Sequence, residues 1–90
     1  MSLIAQAFIS LLSLCPALGA HRPVLEITTP PGGSWGAYRP NVVCVDPRTP
    51  RRLVRKVVTH EVIHACLYWE GGDWRNERLV ARLTKEHLDG

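Results

Sequence analysis

An α+β domain is the architecture this sequence predicts, on three observations. A stripe of apolar residues with helical period opens the chain, and short segments rich in strand formers occupy residues 24–45. Two further segments of helical period complete it. With 90 residues, 46% of them hydrophobic and 21% charged, the chain suits one domain over residues 1–90 and excludes a collagen-like repeat or a disordered tail.

The first element is an N-terminal helix. Ile4, Phe8, Leu11, Leu12 and Cys15 follow one stripe while Ser2, Gln6, Ser10 and Ser13 follow another, and Pro16 ends the pattern. The uncharged stretch Met1 to Ala20 also invites reading as a targeting segment. It lacks an initial Lys or Arg, Pro16 interrupts it, and its removal would leave roughly 70 residues, near the lower limit for an unstapled domain. A packed helix is the preferred expectation.

Next comes a small three-stranded sheet. Val24 to Thr28 alternates and stops at Pro30-Pro31-Gly32-Gly33. Ser34 to Tyr38 leads through Arg39-Pro40 to Asn41–Val45, which Asp46-Pro47 closes. Thr49-Pro50 then reads as the cap and first residue of a helix running to about Trp69, where Gly71-Gly72 breaks it. Asp73 is the expected cap of a last helix reaching about Leu88.

The central helix contains His60-Glu61-Val62-Ile63-His64. Residues four apart are turned by about 40° and raised by about 6 Å, so the two imidazoles can converge on one ion while Glu61 reaches an attacking water as general base. On the helical wheel both histidines fall between Leu53, Val57, Ile63 and Leu67, with Arg51, Arg52, Arg55 and Thr59 opposite. Three ionisable groups aimed at a core need a compensating partner; hydrogen bonds within a structural role are one reading, and a metal is the preferred expectation.

A catalytic zinc takes three protein ligands, so a third is expected downstream among Glu70, Asp73, Glu77, Glu86 and His87. A helical hairpin around Glu70-Gly71-Gly72 places Glu77 level with His64, on a face shared with Trp74, Val80, Ala81, Thr84 and Leu88. Glu77 is the choice; His87, nearly three turns further on, is the reserve.

These segments resemble the zincin metallopeptidases, and within them a minimal gluzincin. The resemblance rests on His60-Glu61-Val62-Ile63-His64 and on Asn76-Glu77-Arg78-Leu79-Val80-Ala81, which is similar to that group's N-E-x-x-x-A segment. The context His-Glu-Val-Ile-His-Ala-Cys-Leu is also similar to small zincin-like proteins encoded by phages. The resemblance implies a zincin-like minimal domain holding Zn²⁺ by His60, His64 and Glu77, with Glu61 as general base and acid in peptide hydrolysis. It further implies an antiparallel edge strand that binds extended substrate, a part open to Asn41–Val45 or to Ser34–Tyr38. A downstream Tyr or His often stabilises the oxyanion in the family; here Tyr38, Tyr68 and His87 are the candidates.

Three cysteines, Cys15, Cys44 and Cys66, are odd in number and widely spaced, which predicts no disulfide framework and a reducing, cytoplasmic setting. A net charge of +3, from 11 Lys+Arg against 8 Asp+Glu, is below that of a dedicated nucleic-acid binder. Arg48, Arg51, Arg52, Arg55 and Lys56 cluster where the active-site helix begins; a solvated, carboxylate-paired face is expected there, with an acidic peptide substrate or nucleic acid as the other readings. Trp35, Trp69 and Trp74 are expected to be packing residues. The rival functions are a zinc-stabilised, non-catalytic interaction module and a small nucleic-acid-associated protein; no membrane association is expected.

Overall fold

The computed structural model describes residues 2–90. The fold is α+β, with four α-helices and one three-stranded mixed sheet among the described residues. Helix α1 spans Leu3–Leu11, capped by the Ser2 hydroxyl, which accepts from the Ala5 N–H at 3.1 Å. A 3₁₀ turn and the short helix α2, Ala17–Ala20, lead to strand β1, Val24–Ile27. Strands β2, Gly36–Arg39, and β3, Val42–Val45, form a hairpin around Pro40-Asn41. Pro40 fixes its own φ, and Asn41 takes the positive φ of 70° that the tight turn requires.

The sheet order is β1-β3-β2, with β1 parallel and β2 antiparallel to β3. The central strand is β3, so Asn41–Val45 cannot serve as an edge for substrate; β2 has an unpaired edge. Helix α3, Val54–Trp69, follows a 3₁₀ turn at Arg51–Leu53. Thr49 does not cap it. Its hydroxyl donates to the Asp46 carbonyl at 2.7 Å and belongs to the turn that Asp46 organises. The break at Gly71 is as expected: with φ of 76°, Gly71 turns the chain while the Gly72 N–H reaches the Leu67 carbonyl at 2.8 Å. Helix α4, Glu77–Asp89, starts later than the Asp73 cap predicts. Asn76 is the cap, accepting from the Leu79 N–H at 3.1 Å, and Asp73 instead accepts from the Asn76 side chain.

Helix α3 is the centre of the molecule, packed by α1, by β2 and β3, and by α4. Its core face differs from the wheel prediction. Val54, Val58, Val62 and Ala65 meet Ile4, Phe8 and Leu11 of α1 and Val43 and Val45 of β3, and Thr59, expected among the arginines, is fully buried. A helix covered on three sides has no single inward stripe, which is why one wheel face did not define it. The packed-helix expectation for α1 matches its burial in this core. Among the described residues no helix is long and apolar enough to cross a membrane.

The cysteine expectation is corrected. Cys15 and Cys66 form a disulfide with Cα atoms 6.1 Å apart, tying the segment after α1 to α3; Cys44 remains free and buried. Cysteine spacing alone held no sign of a pair separated by 51 residues that α1 brings together by folding back. The reducing-compartment expectation loses its basis, since such bonds persist in oxidising surroundings. By chain entropy a crosslink closing a loop of this length adds about 4 kcal/mol. Reduction, or Cys66→Ser, should therefore lower the urea unfolding free energy by roughly that amount; unchanged midpoints would show that these thiols are not joined in solution.

Candidate metal centre

His60 and His64 stand one turn apart on α3, with ring centroids 5.0 Å from each other. His64 is buried and His60 half-buried. Opposite them Glu77, the first residue of α4, turns its carboxylate back onto α3. One oxygen lies 2.9 Å from His60 Nε2 and the other 2.9 Å from His64 Nε2. The predicted trio is thus assembled, with one donor atom from each residue all within 4.8 Å of one another. Glu77 is not inward-facing as expected: its side chain is 71% exposed, and Val80 and Thr84 form the buried face of α4, with Ala81 in solvent. The acid reaches the histidines because it starts a helix whose N-terminus favours negative charge and points at the site.

The His64 ring decides what this arrangement accepts. Its Nδ1 is 2.5 Å from the Trp74 carbonyl oxygen, which can only accept, so Nδ1 carries the proton. In the neutral imidazole Nε2 is then a bare lone pair facing a carboxylate oxygen at 2.9 Å. Two acceptors at that separation repel unless the ring gains a second proton or a cation lies between them. Two imidazole nitrogens and a carboxylate are the donor types zinc takes, and a backbone carbonyl behind a histidine is the customary support for such a ligand. The residues fit the metal. Each histidine Nε2 lies 2.9 Å from a Glu77 oxygen, and the three donor atoms lie within 4.8 Å of one another, so small shifts of these side chains would let them close on one ion.

Glu61 is 5% exposed. Burial, and secondarily the negative charge of Glu77, raise its pKa to about 8. Glu77 itself is subject to some upward pull from burial, but its hydrogen bond to His60 and the charges of both imidazoles bring it below the ordinary carboxylate value. Gly36 of β2 explains how Glu61 fits. A Cβ there would come 2.8 Å from Glu61 Oε2 and 2.9 Å from Val57 Cγ1. The lone glycine inside a strand pattern was the sequence signal for this close approach.

A cleft of about 630 Å³ opens over these groups, bordered by Ser34 and Trp35 and the first residues of β2, by α3, and by Trp74 and Arg75. Trp35 is 40% exposed in its wall and not a core residue. Trp69 packs against the core and stacks on His21 and Tyr68, as a packing residue should; Trp74 stacks on Tyr68 and also lines the cleft. Tyr38 lies parallel to the His64 ring at 6.0 Å with its hydroxyl buried, and burial raises its pKa. Tyr38 lines the cleft, Tyr68 does not, and His87 is exposed outside the trio. Tyr68 and His87 are therefore not placed to supply an oxyanion donor. The other third-ligand candidates lie elsewhere: Glu86 pairs with Arg82, Asp73 with Asn76, and Glu70 is exposed.

No protein-family profile, curated protein or solved structure matches this chain.

The Glu61 shift has a thermodynamic signature. Its pKa of about 8 lies above the unfolded value of 4.5, so the folded state binds the proton more tightly. The contribution is full below pH 4.5 and is lost as pH rises through about 8. In chelator, the unfolding free energy should fall across this window by up to about 1.4 kcal/mol per pH unit. Glu61→Gln should flatten that slope in urea titrations; an identical slope in the variant would show that Glu61 ionises normally.

Gly36→Ala should lower stability by about 1–3 kcal/mol through overpacking against Glu61 and Val57. Thermal unfolding checks this, and a variant as stable as wild type would mean that β2 stands further from α3.

Proposed function

We propose that this protein is a zinc-dependent peptidase with a minimal zincin-like site, in which His60, His64 and Glu77 hold the metal and Glu61 is the general base. The observation that carries the reading is His64 Nε2 lying 2.9 Å from a Glu77 carboxylate oxygen while its Nδ1 is held by the Trp74 carbonyl, beside a buried carboxylate that lines the same cleft.

When bound, zinc would supply Lewis acidity, polarising a carbonyl and acidifying a water at its open position. The chain's own groups would do the rest. Glu61, ionised when the cation is bound, would take a proton from the attacking water and return it to the departing amine. The unpaired edge of β2, which borders the cleft, offers backbone donors and acceptors to an extended peptide. Trp74 holds His64 through its carbonyl, so the ligand ring does not rotate during turnover.

Elemental analysis should find about one zinc per chain in wild type and in Glu61→Gln. His60→Ala, His64→Ala and Glu77→Ala should lose it, and His87→Ala should keep it. On cleavable peptides Glu61→Gln should reduce kcat by about 10²- to 10⁴-fold. Zinc retained in every variant would remove the site. Zinc bound as described, with wild type no faster than Glu61→Gln, would leave a zinc-stabilised interaction module.

A further inference from the structure

The start of α3 breaks two local rules at once. There is no acidic residue in its first turn, and Arg51, Arg52, Arg55 and Lys56 gather there against the helix dipole, with Arg52 and Lys56 in repulsive i,i+4 register. The expected carboxylate pairing holds for Arg48 alone, which grips Asp46 through two guanidinium bonds and holds that carboxyl below its usual range. The other four have no acidic partner among the described residues. Of these cations only Lys56 lines the cleft.

Its place along the cleft can be read from the neighbours. Gly36 abuts Val57 and Glu61, and Tyr38 lies against His64, so β2 runs in the same direction as α3. Trp35 therefore stands beside Leu53 and Lys56 at one end, and Trp74 and Arg75 stand at the other. A peptide added antiparallel to β2, the more stable pairing, directs its C-terminal half toward Lys56. Lys56 precedes His60 by one turn, about 6 Å along the axis, which an extended chain covers in two residues. Among the described residues the only carboxylates lining this cleft are Glu61 and Glu77, and the proposed site engages both, leaving none at the Lys56 end to repel an anion.

Resting on the peptidase reading, we infer that the Lys56 end of the cleft selects peptides bearing a carboxylate on the second residue after the cleaved bond, with an apolar residue between them packed on Trp35, Leu53 and Val57. The carboxylate is either a free C-terminus or an acidic side chain.

The test uses zinc-loaded Glu61→Gln, which binds without turnover, and follows tryptophan fluorescence during titration. The probes are acetyl-Ala-Ala-Leu-Ala as the free acid, the same peptide as its amide, and the amide with Glu replacing the final Ala. One or both charged peptides should bind about fivefold more tightly than the neutral amide, and less so at high salt. Lys56→Gln in the same background should abolish the difference, and Arg75→Gln should leave it in place. A gain for the free acid alone marks an end-reading enzyme, whereas an equal gain for the Glu amide marks cleavage within longer acidic chains; either supports the assignment. Equal binding of all three, no binding at all, or a preference that survives Lys56→Gln overturns it. Wild-type turnover of the same peptides is read separately. Charge-selective binding without wild-type cleavage would reject the peptidase while retaining the anion-reading cleft.

Discussion

The hydrogen bond from His64 Nδ1 to the Trp74 carbonyl is the constraint on which the site depends. It links the middle of α3 to the turn leading into α4, and it selects the tautomer whose Nε2 faces Glu77. Without it His64 would be an ordinary core imidazole, free to donate to the carboxylate. With it, the chain holds two acceptors face to face, an arrangement that calls for a cation or a proton. The Schellman turn at Gly71-Gly72 and the Asn76 cap then fix the two helix ends that flank this contact.

The rest of the fold makes that constraint rigid. Because α3 is covered by α1, the sheet and α4, His64 and Glu61 are desolvated by the same packing that holds the helix in place. The Cys15–Cys66 bond adds a covalent tie to α3 two residues beyond His64. Burial that would be costly for an isolated carboxylate raises the proton affinity of Glu61, and Gly36 removes the one Cβ that would crowd it. The contacts that hold the helix in place therefore also set the proton affinity of Glu61.

The site residues were legible where their meaning is local. The spacing of His60, Glu61 and His64 needs only helical geometry, and Glu77 could be placed by counting along two helices joined by a glycine turn. Other features could not be read this way. A backbone carbonyl such as that of Trp74 leaves no mark in side-chain pattern, and the cysteine pair depends on a long-range return of α1. Asp73 and Asn76 are both good capping residues three positions apart, so composition could not rank them. The strand boundaries fell within a residue or two, while the core face of α3 was missed because a helix buried on several sides has no dominant stripe.

The most direct measurement of the central claim is the ¹⁵N shift of each histidine ring nitrogen during zinc titration. Among His21, His60, His64 and His87, one equivalent of zinc should move Nε2 of His60 and His64 alone, with His64 Nδ1 remaining protonated throughout. Saturable movement at His21 or His87, zinc on Nδ1 of His64, or no movement at all would contradict the account.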